Sequence, residues 1–377
     1  MELSASFLMI EQLRDLPLTQ KIGQLFFIGV PGPEIDDQTR GLLAEISPGG
    51  VCLFARNIRE ATQTRYLLDE IRVLLPFTPV LSVDQEGGLV DRLRRIMTPM
   101  PAANKIRTTN AAASFAGIVA ETLLMLGFNM DFAPVVDVIG EERAKYSNGL
   151  FSRTFGGSKE DAVLLGGTFL QMLQQNGVIG CLKHFPGLGA AGVDSHEELP
   201  QVDISEDELQ MTDLYPFREL IGSGDAKAVM VAHAAFPQVR LQETDQNGKL
   251  LPSSLSKNFI TNLLRGELGF EGLVITDDLE MGAIVKNYGI GEACKMAILA
   301  GVDMLAICAD PQAIRDGYNA VLRAVNNGEI TEARLDRSLE RIALLKNKLS
   351  APLDLDPERL KVLPDQIAVL NDDLSRA

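Results

Sequence analysis

Several catalytic motifs are missing from this sequence. Only three histidines occur among its 377 residues, and no H-x-H or H-E-x-x-H spacing is present, so we expect no catalytic metal. No G-x-S-x-G turn surrounds Ser82 or Ser195, which argues against a serine nucleophile. No G-x-G-x-x-G follows an early strand, which disfavours a dinucleotide-binding sheet. Together these absences predict a protein that works without a metal or a cofactor.

Cysteine, basic charge and long apolar runs are also scarce. The four cysteines lie far apart and form no C-x-x-C pair, so we expect free buried thiols rather than disulfides. The formal net charge is −16, which disfavours nucleic acid and anionic membrane surfaces as partners. The start of the chain lacks the pattern of a signal peptide, and no apolar run approaches the roughly 20 residues of a membrane span. We therefore expect a cytoplasmic protein, and we favour a monomer.

Short apolar runs alternate with longer amphipathic segments almost from end to end. Eight runs, each followed by a helix or a long loop, predict a (β/α)₈ TIM barrel, with a doubly wound open sheet as the alternative. Several runs are continuously apolar, which is typical of parallel strands buried on both faces. We expect one domain, with the barrel over residues 1–350 and a Pro-broken tail containing one short helix over residues 351–377, packed on or beside the barrel. The predicted strands are Ile22–Val30, Val51–Phe54, Val80–Val83, Asn129–Ala133, Val178–Lys183, Ala228–Ala232, Leu273–Thr276 and Met304–Cys308.

Two of the predicted helices have recognisable ends. Ser205 and Glu208 have the spacing of a capping box, which predicts that a helix begins there. A late apolar stripe predicts another helix, and its Arg341 and Lys346 suit the negative C-terminal end of a helix dipole.

Polar residues follow five of the predicted strands at the same end. Because the active site of a TIM barrel lies at the C-terminal ends of its strands, we expect a site there with several carboxylates, histidines and at least one cation. His233 either lines this pocket or is a hydrogen-bonded core histidine, and Asp278 is interpreted as binding neighbouring backbone. The polar residues are Asp84 to Gly88, Asp131, Asp137, Lys183, His184, His233, Asp277 and Asp278.

A carboxylate nucleophile with a separate proton donor fits these residues best. Asp277 ends an apolar strand, which places its carboxylate where it could attack an anomeric carbon and form a covalent glycosyl-enzyme. The proton donor is usually a second carboxyl, but His196 could take this role because its unperturbed pKa lies near neutrality. Asp194 could accept a hydrogen bond from the His196 ring and fix its tautomer.

A set of short motifs runs along the predicted barrel. They are Lys21-Ile22-Gly23-Gln24, Phe54-Ala55-Arg56-Asn57, Asp84-Gln85-Glu86-Gly87-Gly88, Lys183-His184-Phe185-Pro186-Gly187, Asp194-Ser195-His196 and Thr276-Asp277-Asp278-Leu279. With these motifs the chain resembles glycoside hydrolase family 3, in particular its single-domain bacterial β-N-acetylglucosaminidases of peptidoglycan recycling. The resemblance covers about residues 15–350. The chain departs from the family pattern at Leu188, where His is common, and at Leu89, where Arg is common.

The resemblance implies a role for each matching residue. Asp277 matches the family's nucleophile, His196 its acid/base, and Asp194 the partner of that histidine. A further set matches residues that hold the sugar hydroxyls, which suits carboxylates as acceptors and cations as donors. This set is Asp84, Arg92, Arg153, Lys183 and His184.

The activity implied by the resemblance is that of a retaining exo-β-N-acetylglucosaminidase. Its substrate would be a small carbohydrate of the N-acetylglucosaminyl-muropeptide type, derived from the cell wall. Many β-glucosidases of the family take a carboxylic acid/base from a second domain, for which this chain is too short, so His196 would fill that role. The alternatives are a β-glucosidase or β-xylosidase, a glycoside phosphorylase (because a neutral base repels phosphate less than a carboxylate does) and a non-catalytic sugar-binding barrel.

Overall fold

The computed structural model describes residues 2–146, 149–192 and 198–376. Within them, eight parallel strands form one sheet: β1 (Phe26–Gly29), β2 (Gly50–Leu53), β3 (Val80–Val83), β6 (Met130–Asp131), β7 (Ile179–Phe185), β8 (Ala228–Val231), β9 (Leu273–Thr276) and β10 (Leu305–Ile307). Their order in the sheet is β10-β1-β2-β3-β6-β7-β8-β9. The sheet closes between β9 and β10, where Ile275 pairs with Met304 and the Thr276 N–H donates to the Met304 carbonyl at 3.1 Å. The predicted (β/α)₈ barrel is therefore confirmed.

All eight predicted strands exist, and every residue of the observed strands is buried. Burial on both faces explains why the runs are continuously apolar rather than alternating. The prediction for the first strand was wrong at its start, because Leu18–Gly23 is a helix and the strand begins only at Phe26. The last two residues of that helix, Ile22 and Gly23, are buried, and periodicity cannot separate so short a buried segment from the strand that follows it.

A two-stranded antiparallel hairpin was not predicted. It follows β3 directly and consists of β4 (Gln85–Gly87) and β5 (Val90–Asp91). Gly87 and Gly88 form its turn with φ of +82° and +58°, a backbone conformation that favours glycine. The hairpin carries the residues between Asp84 and Arg92 over the C-terminal end of the barrel.

Helices surround the barrel and join its strands. Three of them contain wider π-helical stretches, Ala162–Gly166, Leu209–Asp213 and Asn258–Glu267, and short 3₁₀ turns span Ala103–Lys105, Leu150–Arg153 and Ser253–Leu255. The α-helices are α1 (Glu2–Arg14), α2 (Leu18–Gly23), α3 (Asp37–Ile46), α4 (Ala61–Leu74), α5 (Thr109–Leu126), α6 (Glu141–Ala144), α7 (Lys159–Asp161), α8 (Gly167–Gln175), α9 (Glu206–Glu208), α10 (Leu214–Gly222), α11 (Gly282–Val285), α12 (Ile290–Ala300), α13 (Pro311–Asn326), α14 (Glu332–Lys346) and α15 (Pro357–Arg376).

The two helix ends read from the sequence are only partly as predicted. Ser205 caps α9 by accepting from the Glu208 N–H at 3.1 Å, but the Glu208 carboxylate binds Arg143 at 2.6 Å. Lys346 lies at the end of α14, yet it is 4% exposed and donates to Gln24 at 2.7 Å. It is a buried residue of the interface between α14 and the barrel, not a surface charge at a helix end.

The C-terminal helix is longer than the short helix predicted for the tail. Helix α15 has 20 residues and packs on α5. Leu363, Ile367 and Leu370 are its buried residues, and their spacing of four and three places them on one face. This apolar face explains how a helix persists through the internal Pro364.

Helix α5 is, within the described part of the chain, the one helix that is long and apolar enough to cross a membrane by those two criteria alone. However, 56% of it is buried inside the fold, where it packs against α4, α8 and α15. It is therefore a core helix. The four cysteines are buried free thiols, as predicted.

Candidate active site

A cavity of about 210 Å³ lies at the C-terminal ends of the barrel strands. Its lining residues come from the ends of β2, β3 and β6 to β10, from the β4–β5 hairpin and from the 3₁₀ turn Leu150–Arg153. His196 and Asp194 lie outside the described residues. The other six predicted site residues all line this cavity: Asp84, Arg92, Arg153, Lys183, His184 and Asp277.

Lys183 is the centre of a buried ion-pair cluster in the cavity. Its side chain is 2% exposed, and its Nζ lies 2.7 Å from Asp84 Oδ1 and 2.6 Å from Glu86 Oε1. Arg153 binds the same Glu86 carboxylate through Nε at 2.7 Å and Nη2 at 2.9 Å. Two cations and two carboxylates therefore balance each other in a largely buried cluster.

The charges of this cluster stabilise one another against burial. Burial opposes the charge on Lys183, but the carboxylates of Asp84 and Glu86 outweigh it and raise the pKa of Lys183. Burial likewise opposes the charge on Glu86, but Arg153 and Lys183 outweigh it and lower the pKa of Glu86. Lys183 and Glu86 are thus both held in their charged forms.

Arg92 differs from these residues because its donors are not all used. Its Nη2 lies 3.7 Å from Asp84 Oδ2, a distance longer than a hydrogen bond. The guanidinium lies 5.8 Å from the centre of the Phe54 ring. Its buried Nε has no partner among the described residues. An unsatisfied buried donor beside a carboxylate is suited to binding a hydroxyl group.

His184 is held by Asp137 at the end of β7. Its Nδ1 lies 2.8 Å from Asp137 Oδ2, and the other Asp137 oxygen accepts from the Leu188 N–H at 2.6 Å. On the opposite side of the ring, Nε2 lies 3.4 Å from Arg153 Nη2. When the ring proton is on Nδ1, the lone pair of Nε2 therefore points towards Arg153.

Asp277 lies at the end of β9 and faces the cavity. Its Oδ1 accepts from the Asp278 N–H at 2.8 Å. Burial would raise the pKa of Asp277, but the imidazoles of His184 and His233 and the Asp278 N–H outweigh burial and lower it. The carboxylate is therefore ionised at neutral pH, as a nucleophile must be.

The sequence profile described as "Glycosyl hydrolase family 3 N terminal domain" matches residues 17–345. The chain belongs to glycoside hydrolase family 3. A Beta-hexosaminidase of Tolumonas auensis is 34% identical over 311 residues, which are 81% of this chain and 88% of that protein. A Beta-hexosaminidase of Pseudomonas aeruginosa is 36% identical over 315 residues, 82% of this chain and 89% of that protein. The solved β-N-acetylglucosaminidase of Paenibacillus sp. str. FPU-7 has a TM-score of 0.84 at 36% identity, covering 94% of this chain and 69% of that one.

These findings confirm the family resemblance, and the protein is a glycoside hydrolase. The two departures from the family pattern lie near its cavity. Leu188 is 8% exposed and lines the cavity wall, whereas Leu89 is 64% exposed at the tip of the β4–β5 hairpin. Neither side chain can donate a hydrogen bond, and Leu188 adds apolar surface to the cavity wall.

The sequence left the roles of His233 and Asp278 open, and the structure distinguishes them. His233 is fully buried, with Nδ1 at 2.7 Å from Ser254 Oγ and Nε2 at 3.0 Å from the Asp278 carbonyl. It is a hydrogen-bonded core histidine. Asp278 lines the cavity and accepts from the Glu280 N–H at 3.1 Å, and burial raises its pKa to about 7. Its bond to backbone agrees with the interpretation made from the sequence.

Two residues of the site had received no role from the sequence. Glu86 binds both Lys183 and Arg153, and Asp137 orients His184. A signal for Glu86 was available, because two cations predicted at a buried site require nearby carboxylates. Asp137 was among the polar residues expected at this end of the barrel, but its contact with His184 could not be predicted, because that contact depends on how the segments after two strands meet.

Proposed function

We propose that this hydrolase is a retaining exo-β-N-acetylglucosaminidase that acts through a covalent glycosyl-aspartate. Asp277 attacks the anomeric carbon while His196, held by Asp194, protonates the leaving oxygen. Water, deprotonated by the same histidine, then displaces Asp277 and releases the sugar. Two inversions at one carbon retain its configuration.

The state of Asp277 is the observation that carries the proposal. Its carboxylate is ionised, points into a cavity and has one described hydrogen bond, from the Asp278 N–H. The cation cluster and Arg92 border the same cavity, where they can receive sugar hydroxyls while Asp277 approaches the anomeric carbon. The beta-hexosaminidases among the relatives support the choice of an N-acetylhexosaminide as substrate.

The size of the cavity supports exo action. Ligand pockets for drug-sized molecules have roughly 300–1,000 Å³, and this cavity, at about 210 Å³, is smaller. It has room for one sugar residue at the reacting position. The remainder of the substrate must therefore lie towards the mouth, so that cleavage removes a terminal sugar.

His196 is proposed as the proton donor by its spacing from Asp194 and by what the other two histidines do. His184 has Asp137 on one ring nitrogen and Arg153 close to the other, and His233 has a partner on both. Neither of these rings is free to protonate a leaving group. We further propose that the substrate is a muropeptide-type fragment and that the enzyme acts in the cytoplasm.

The test is to trap and locate the covalent intermediate. Asp277→Ala should abolish turnover of an aryl N-acetylglucosaminide, and a fluorinated analogue should label Asp277 in the wild type. In the neighbouring variant Asp278→Asn, the label should still be found on Asp277. A label on another residue, or substantial turnover by Asp277→Ala, contradicts the assignment. Product analysis with and without phosphate, following the anomeric configuration, distinguishes hydrolysis from phosphorolysis.

A further inference from the structure

The hairpin that carries Asp84 and Glu86 is tied to the barrel by a buried polar network. The Gln85 N–H donates to Asp131 Oδ1 on strand β6 at 2.9 Å. The Gln85 side chain donates to Asp91 Oδ1 at 2.8 Å and accepts from the Leu93 N–H at 3.1 Å. Asp131 therefore holds the residue that lies between the two carboxylates of the Lys183 cluster.

The Asp131 carboxyl is buried with half of its hydrogen-bonding capacity unused. Its side chain is inaccessible to solvent, and Oδ2 has no partner among the described residues. A buried carboxylate with an unpaired oxygen is costly, whereas a neutral carboxyl at the same place costs much less. Burial accordingly raises the pKa of Asp131 to about 8, so the group is mostly protonated at neutral pH.

The surrounding charges also disfavour a charge on Asp131. After burial, the Gln85 N–H and Lys183 on β7 lower the pKa of Asp131, whereas Asp84 and Glu86 raise it. Cys181 on β7 also interacts with it, and burial keeps that thiol protonated by raising its pKa. The two carboxylates are already balanced by Lys183 and Arg153. A third carboxylate would leave this set net negative and compete for Lys183.

We propose, resting on the sugar-binding role proposed above for Asp84 and Lys183, that Asp131 is a positioning residue for substrate binding. Its uncharged carboxyl holds the Asp84–Glu86 segment in the geometry that receives the sugar. Its ionisation draws Lys183 from that geometry and so weakens binding at alkaline pH. The effect is expected on KM, since the described hydrogen bond of the Asp131 carboxyl is to Gln85 and not to the nucleophile Asp277.

The experiment compares the KM of an aryl N-acetylglucosaminide at pH 7 and pH 9 in the wild type and in Asp131→Asn. Asparagine keeps an acceptor for the Gln85 N–H but cannot ionise. If only the protonated form binds, the apparent KM of the wild type rises by about tenfold at pH 9. The KM of Asp131→Asn should change by less than about twofold. The fall in kcat as the histidine donor loses its proton is expected in both proteins and is read separately.

Two further variants keep the result interpretable. Asp131→Ser also offers an oxygen to Gln85 without titrating, so it should show the same pH-independent KM if the asparagine variant does not fold. Asp303→Asn changes a buried aspartate at the opposite end of the barrel, and its ratio of KM values should equal that of the wild type. Parallel KM curves for the wild type and both Asp131 variants overturn the inference while leaving the proposed function intact. No turnover by the wild type at any pH overturns both.

Discussion

Replacing Glu86 with glutamine tests whether the ion-pair cluster is a structural element of the cavity. Glutamine has the same shape but no charge, and its amide group must point a donor at one of two cations. Glu86 is 4% exposed, and its carboxylate receives Lys183 at 2.6 Å and Arg153 at 2.7 and 2.9 Å. The substitution therefore leaves cationic groups facing each other across a neutral side chain.

The expected loss of unfolding free energy is about 3 kcal/mol. Removing one partner of a buried ion pair costs roughly 3–5 kcal/mol. The lower end applies because Lys183 keeps Asp84 at 2.7 Å and the Arg153 side chain is 23% exposed and can be partly solvated. This loss corresponds to about a hundredfold change in the folding equilibrium. We also expect a raised KM, since both cations border the proposed sugar site.

Urea unfolding at pH 7 measures the loss, and Glu142→Gln is the matched control. Glu142 pairs with Lys145 at 2.7 Å, but their side chains are 85% and 58% exposed, so its loss should not be measurable. Because the pKa of Glu86 is lowered in the folded state, its contribution is present above the unfolded pKa and is lost as the pH falls. The deficit of Glu86→Gln should therefore shrink below about pH 4.5. A loss no larger than that of the control at pH 7 would refute this reasoning.

Two further predictions concern buried charges at the other end of the barrel. Burial lowers the pKa of Lys346 to about 7 from 10.5, so the wild type loses stability as the pH falls through that window. Lys346→Met should be more stable than the wild type to urea at pH 7, by a margin that shrinks by about 1.4 kcal/mol per pH unit towards pH 10; an equal margin at both pH values contradicts this. Asp303 binds Arg265 at 2.6 Å and Arg341 at 3.3 Å, so Asp303→Asn should lower unfolding free energy by about 3 kcal/mol. Its kcat per folded molecule should stay that of the wild type, and a lower kcat would show that the two barrel ends are coupled.

The barrel could be predicted because its signal is local and repeated. Each strand is a short apolar run, and burial on both faces keeps that run free of polar residues. The eight runs were therefore found, whereas the start of β1 was misplaced because the helix before it ends in the buried residues Ile22 and Gly23. The length of α15 was underestimated at Pro364, where an apolar face outweighs the cost of a proline within a helix.

The site residues that lie at the ends of individual strands could be predicted from the sequence. Lys183, His184 and Asp277 each end a strand, so their common location follows from the topology of the barrel. The contacts of Glu86 with Lys183 and of Asp137 with His184 join residues 97 and 47 positions apart in the chain. Such pairs depend on strand register and hairpin geometry, which the sequence pattern does not specify. The proposed roles of His196 and Asp194 stay predictions.

The fixed cluster around Lys183 has a consequence for how the enzyme handles its product. Its cations and carboxylates pair with one another, so an entering sugar meets a preformed polar surface and need not order flexible side chains. Because these groups are paired, this surface has few unused hydrogen-bond donors, and Arg92 Nε is one of them. A monosaccharide released by the proposed exo activity would therefore be held by few contacts, which favours rapid departure and weak inhibition by accumulated product.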